Sequence, residues 1–109
     1  MNNLLFSFLI PFMMFVSNIH PSFDKENCTC KGIPLYGEVQ VVNSNADFRV
    51  EVVNSFEDLR VEVVNSNALK CGEWIFVQSN PDFTIEFVTS NADFTITYVN
   101  TQPGIGSKY

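Results

Sequence analysis

Four aspartates, Asp47, Asp58, Asp82 and Asp93, each stand five residues after a valine in copies of one repeated segment. Repeated acidic turns can build calcium sites, but calcium takes roughly six to eight oxygens converging on one point, and one carboxylate per turn is sparse. Short polar side chains in turns more often bond their neighbouring backbone. The four therefore read first as solvated Asx-type turn residues and second as weak calcium candidates. Cys28, Cys30 and Cys71 are the cysteines. A bridge between residues adjacent but one is strained, so in an oxidising compartment Cys71 is expected to pair with Cys28 or with Cys30, leaving one thiol over. A Cys-x-Cys pair with a distant third Cys also suggests metal, yet three thiols and the single His20 fall short of a tetrahedral zinc set. Catalysis by a nucleophile with its base, or by paired carboxylates of separated pKa, finds little support. His20 lies in a segment expected to be removed, and the adjacent Glu57 and Asp58 read as a solvated turn pair. The chain is expected to be non-enzymatic and to carry no cofactor.

These residues sit in a chain of 109 residues, 46% hydrophobic, which suffices for one domain with one core. All 12 acidic and 6 basic side chains fall between Asp24 and Lys108, which sets the first 23 residues apart. Within them Leu4 to Val16 reads LLFSFLIPFMMFV, the length of a signal-peptide apolar region and too short for a bilayer core of roughly 30 Å. A signal peptide over 1–22 follows as the expectation, with no small-x-small motif to fix its cleavage point. No Leu-x-x-Cys lipobox precedes Cys28, so a lipid anchor is not expected. The protein is thus expected to be exported, to a periplasm or outside the cell. The formal net charge of -6 would repel phosphate backbones and argues against nucleic acid as a partner.

A fixed period organises the remainder. Val42, Val53, Val64, Val77, Val88 and Val99 are spaced by 11, 11, 13, 11 and 11 residues, and each precedes a polar residue and then Ser or Thr. The residues one, three and five before each valine are apolar, Val39, Phe48, Trp74, Ile85 and Phe94 among them, except for Gly37 and Gly72. The intervening positions, such as Arg49, Glu51, Arg60, Glu62, Thr84 and Thr95, are polar, with Ile75 the one exception. Alternation with period two in β-branched and aromatic residues predicts strands with one buried face. On that parity Phe48, Trp74, Phe83, Phe87, Phe94 and Tyr98 all belong to the core. The recurring valine has the opposite parity and must be covered, by a bulge or by another part of the chain.

The two extra residues before Val77 fall at Lys70-Cys71, and Gly72-Glu73-Trp74 echoes Gly37-Glu38-Val39. The fold class is therefore all-β: six eleven-residue strand-and-turn repeats in two sets of three, with a pseudo-twofold between the sets. The parts are a lead over 23–36 carrying Cys28 and Cys30, and a six-repeat domain over 37–109. A strand of six residues spans about 20 Å, and five more reach at most about 17 Å. Such a link cannot return to a parallel neighbour, so antiparallel or crossing strands are expected. Phe56 occupies a turn position that carries Asn or Gln in the other units. It either folds back onto the core or stands exposed as an anchor for a partner.

The run Gly72-Glu73-Trp74-Ile75-Phe76-Val77-Gln78-Ser79, followed by units ending in Ala-Asp before the next strand, resembles the septoil-knot domain over about Gly37 to Gly106. The resemblance implies a compact monomeric all-β domain whose backbone is threaded as a seven-crossing torus knot, against the general rule that chains do not thread. It implies no activity and supplies no catalytic residues. Leu69 stands where the family has an acidic residue in the third turn, and Lys70-Cys71 makes the central joint basic and thiol-bearing. The expected role is a robust, exported, non-enzymatic module that is structural or binds a macromolecule. A calcium- or small-ligand-binding domain and a thiol-dependent envelope protein are the alternatives.

Overall fold

The computed structural model describes residues 22–109, and the proposed signal segment and His20 lie outside the described residues. A lead of three short strands, β1 (Phe23–Asp24), β2 (Thr29–Cys30) and β3 (Ile33–Pro34), forms an antiparallel sheet. Six repeat strands follow: β4 (Gly37–Val41), β5 (Phe48–Val52), β6 (Leu59–Val63), β7 (Glu73–Phe76), β8 (Phe83–Phe87) and β9 (Phe94–Tyr98). A last strand, β10 (Gly104–Ile105), pairs antiparallel with β6.

The six repeat strands close into a barrel in the order β6, β7, β4, β8, β5, β9 and back to β6. All six pairings are parallel, contrary to the expectation from reach. That expectation assumed that consecutive units are neighbours, and they are not. Val41 at the end of β4 and Phe48 at the start of β5 both pair with Ile85 of β8. The link therefore crosses one intervening strand, a gap of two strand spacings or about 10 Å. Val52 and Leu59 flank Ile96 in the same way, Phe76 and Phe83 flank Val39, and Phe87 and Phe94 flank Val50. Parallel strands also exclude a twofold lying across the barrel. Each unit instead pairs directly with its equivalent in the other set, one strand position round the ring.

At every step round the ring the pairing shifts by two residues in the same sense, as in Gly37 with Trp74, Val39 with Phe83 and Phe48 with Ile85. Such a stagger requires steeply tilted strands and brings equivalent residues of all six strands to one height. The interior is stacked in layers. Gly37, Phe48, Leu59, Gly72, Phe83 and Phe94 form the layer at the strand starts, and Val39, Val50, Val61, Trp74, Ile85 and Ile96 form the next; all are buried. Edge-to-face contacts tie Phe48 to Phe83 and Phe94, and Trp74 to Phe83, with ring centroids 5.4 to 5.7 Å apart.

The lead closes the starting end of the barrel. Cys30 and Leu35 are wholly buried, and Phe23 packs on Phe94. The Leu35 carbonyl accepts hydrogen bonds from the Gly72 N–H at 3.0 Å and from Nε1 of Trp74 at 3.1 Å, so the one indole in the chain is satisfied inside the core. Cys28 is bonded to Cys71, fastening the lead to the joint between the two sets. With 43 residues between the partners, closing that loop in the unfolded chain is worth about 4 kcal/mol on the chain-entropy account.

Gly72 shows how tightly the joint is built. Its φ is +85°, and a Cβ there would run into the Arg60 carbonyl and the Gly104 N–H. Gly32 has a similar φ of +79° but open space around it. Gly32→Ala is expected to cost about 1 kcal/mol from backbone strain alone. Gly72→Ala is expected to cost at least about 2 kcal/mol more, since backbone must move as well. Denaturant unfolding of the two variants checks this, and equal losses would contradict the packing described.

Candidate functional site

The links between strands run over the outer face of the strands they cross, and the repeated aspartates act at those crossings. The Asp47 carboxylate accepts the Thr84 N–H at 2.8 Å on β8, and Asp58 accepts the Thr95 N–H at 2.9 Å on β9. Asp82 accepts the Glu38 N–H on β4, and Asp93 the Arg49 N–H on β5, both at 2.7 Å. The bonds are reciprocated: the Asp82 and Asp93 N–H groups donate to the Glu38 and Arg49 carbonyls, and those of Asp47 and Asp58 donate to the Thr84 and Thr95 hydroxyls. Reading these residues as local Asx turns is therefore corrected. Their partners are 37 or 44 residues away, on strands of the other set.

A hydrogen bond to an ionised acceptor is worth about 1.5 kcal/mol or more, and each carboxylate here is engaged with a different strand. Among the described residues no three Asp, Glu, Cys or His side chains converge as metal ligands. Leu69 now has a physical account as well. The third link enters β7, the immediate neighbour of β6, and Oε1 of Glu73 takes up the Leu69 and Lys70 N–H groups at 3.1 Å.

The recurring valine marks the departure of each link from the ladder. The N–H groups of Val42, Val53, Val77 and Val88 donate to the carbonyls of Ile85, Ile96, Val39 and Val50, the residues bridged by their links. All six valine side chains are half-buried.

Glu57 and Asp58, expected to be solvated, are buried, and this too is a correction. The chain after β10 folds over them. Oε2 of Glu57 accepts the Ser107 N–H at 2.9 Å, and Oδ1 of Asp58 accepts the Tyr109 hydroxyl at 2.9 Å and pairs with Nζ of Lys108 at 3.1 Å. Burial disfavours both charges, but hydrogen bonds outweigh it: from Ser107 and Thr97 for Glu57, and from Thr95, Tyr109 and Lys108 for Asp58. Both carboxyls are held below their ordinary values. Burial, and then the Asp58 carboxylate, push the Tyr109 hydroxyl up to about 12. The pair is a clasp for the segment Ser107 to Tyr109.

The thiol left over by the Cys28–Cys71 bridge is also accounted for. Cys30 is unpaired and buried, and burial followed by the charge of Asp93 pushes its thiol up to about 11. A thiol so protonated at neutral pH is a poor nucleophile.

Besides Tyr109 in the clasp, three places expose apolar side chains. Phe56 is 72% exposed, with its backbone N–H on Oγ of Ser107. Its φ is +63°, like Asn45, Asn67, Asn80, Asn91 and Gln102 at the same position of the other units. Leu69, 73% exposed, edges a groove of about 310 Å³ with Ile33, Pro34, Tyr36 and Ala68. The third is the far end of the barrel, where Val41, Val52, Val63, Phe76, Phe87 and Tyr98 are all partly exposed. Assigning Phe87 and Tyr98 to the core from their parity is thereby corrected. They point the expected way, but the last layer has nothing stacked beyond it.

The geometry defines a class: a small parallel β-barrel in which two sets of strands interleave and each set's links overlie strands of the other. Residues 32–106 match the family described as "7(1) septoil knot domain". The chain belongs to that septoil-knot family, and the match extends the resemblance seen in sequence into the end of the lead. No curated protein matches the chain.

Because the folded-state pKa values of Glu57 and Asp58 lie below their unfolded values, their contribution is complete above the ordinary carboxylate range. It is lost as pH falls through that range and below it. Asp58→Asn is expected to flatten the acid limb of a stability-against-pH curve, and an unchanged limb would show that the clasp does not bear on folding.

Proposed function

We propose that this protein is an exported, non-enzymatic module that binds a macromolecular partner outside the cytoplasm, in a periplasm or extracellularly. Export is supported by the apolar segment Leu4 to Val16 and by a Cys28–Cys71 disulfide compatible with an oxidising compartment. A backbone threaded and pinned in this way suits a place where no chaperone refolds damaged chains.

The observation that carries the binding role is Phe56. An aromatic residue in the left-handed region is strained by about 1 kcal/mol or more, and asparagine relieves much of that strain at four of the five equivalent positions. Exposing the ring to water returns nothing to folding. A residue unfavourable both to backbone and to burial is explained by contact with another molecule, for which aromatic anchors are well suited.

Phe56→Asn is accordingly expected to raise stability by about 1 kcal/mol in denaturant unfolding. A photoreactive phenylalanine analogue at position 56 of the exported protein is expected to form a discrete adduct in its native compartment, and the same analogue at position 49 is not. A loss of stability in Phe56→Asn, or no adduct specific to position 56, would count against the reading.

A further inference from the structure

The open end of the barrel carries a pattern that the sequence repeat conceals. In chain order its residues are Val41, Val52, Val63, Phe76, Phe87 and Tyr98, three valines and then three aromatics. In ring order the two sets interleave, so valine and aromatic alternate: Val63, Phe76, Val41, Phe87, Val52, Tyr98. The uniform two-residue shift sets them at one height, and each is between 38% and 50% exposed. The starting end of the barrel is closed by the lead sheet and its disulfide, but among the described residues no such cap lies over this end. The result is a continuous apolar face, of the kind that marks interaction sites on small proteins.

The charged residues nearest that face are glutamates, one of which, Glu86, stands directly across the β5–β8 ladder from Arg49. One residue before the ring, pointing outward, stand Gln40, Glu51, Glu62, Ile75, Glu86 and Thr97. The arginines Arg49 and Arg60 stand two residues earlier on their strands, and the lysines Lys25, Lys31, Lys70 and Lys108 belong to the lead, the joint and the clasp. The ion pairs among the described residues, Lys31 with Asp93 and Lys108 with Asp58, engage none of the three rim glutamates. Between Val63 and Tyr98 the face also dips into an open recess of about 300 Å³, walled by Glu62, Val99 and Asn100.

We infer that this end of the barrel is a docking surface for a peptide segment of a partner protein with an apolar or aromatic centre and flanking lysines or arginines. The inference rests on the protein-binding reading above but on a different surface from Phe56. An acidic rim repels an anionic bilayer, and two copies meeting face to face would set rim glutamates against rim glutamates. Both are therefore disfavoured as occupants against a cationic peptide. The ring of valine and aromatic side chains takes the apolar centre, and Glu51 and Glu62, neither opposite an arginine, hold the flanking cations.

The test uses the exported protein and three amidated peptides sharing one leucine-tryptophan centre, with lysine, glutamate or serine flanks. Titration by NMR is expected to shift the Val63, Phe87 and Tyr98 resonances with the lysine-flanked peptide. Affinity should fall at least tenfold with glutamate flanks and severalfold at high salt. Phe87→Ser, at a side chain 41% exposed, is expected to weaken that binding at least fivefold in samples whose amide spectrum away from the barrel end is unchanged. Phe56→Asn is expected to leave it unchanged, so a failure at position 56 and a failure at the barrel end are separate results. Equal binding of the lysine and glutamate peptides, shifts confined to other surfaces, or no effect of Phe87→Ser would overturn the proposal. So would binding to phosphatidylcholine vesicles without peptide binding, or concentration-dependent self-association that buries the face.

Discussion

Everything in this structure depends on one constraint: a link from either set of strands must lie across a strand of the other set and be held there. Backbone pairing holds the inner side of each crossing. On the outer side a turn aspartate accepts the N–H of the strand beneath, as Asp93 does from Arg49. The link after β4 overlies β8, while those after β7 and β8 overlie β4 and β5. Neither set can then be lifted away without the other, which is what threading means in terms of contacts. A barrel of isolated parallel strands would have needed long crossovers. Interleaving makes six residues sufficient.

The same constraint explains why much of the repeat was legible in sequence and why the rest was not. Strand existence, the buried parity of Val39, Val50 and Ile85, and the three-plus-three break at Cys71 follow from local pattern. Strand direction did not, because the reach argument needs to know which strand is the neighbour, and Ile85 lies between Val41 and Phe48 only in the folded ring. The aspartates were visible as turn residues, but nothing local distinguishes a carboxylate capping its own turn from one bonded to a strand 44 residues away. Glu57 and Asp58 read as solvated because the segment that buries them, Ser107 to Tyr109, lies outside the repeat. Parity predicted where Phe87 and Tyr98 point. It carried no information on whether anything would be stacked above them.

Function, on this account, lies in what folding leaves unexplained. Positions shared by the units are used in pairing, layering or clamping. The Phe56 ring and the outward end of the alternating ring of side chains, whose backbones are paired but over which nothing is stacked among the described residues, are left over. The disulfide and the lead sheet close one end of the barrel, so the molecule presents a closed end and an open apolar one, with acids at the open rim.

The central claim is that the two sets are held as one unit through the clamped crossings, and native-state hydrogen exchange tests it most directly. The amides of Glu38, Arg49, Thr84 and Thr95, each bonded to a crossing aspartate, are predicted to exchange with the same opening free energy as the ladder amides of all six strands, equal to that of global unfolding. Exchange of these four through low-energy local openings, or two distinct opening energies for β4–β6 and β7–β9, would contradict it.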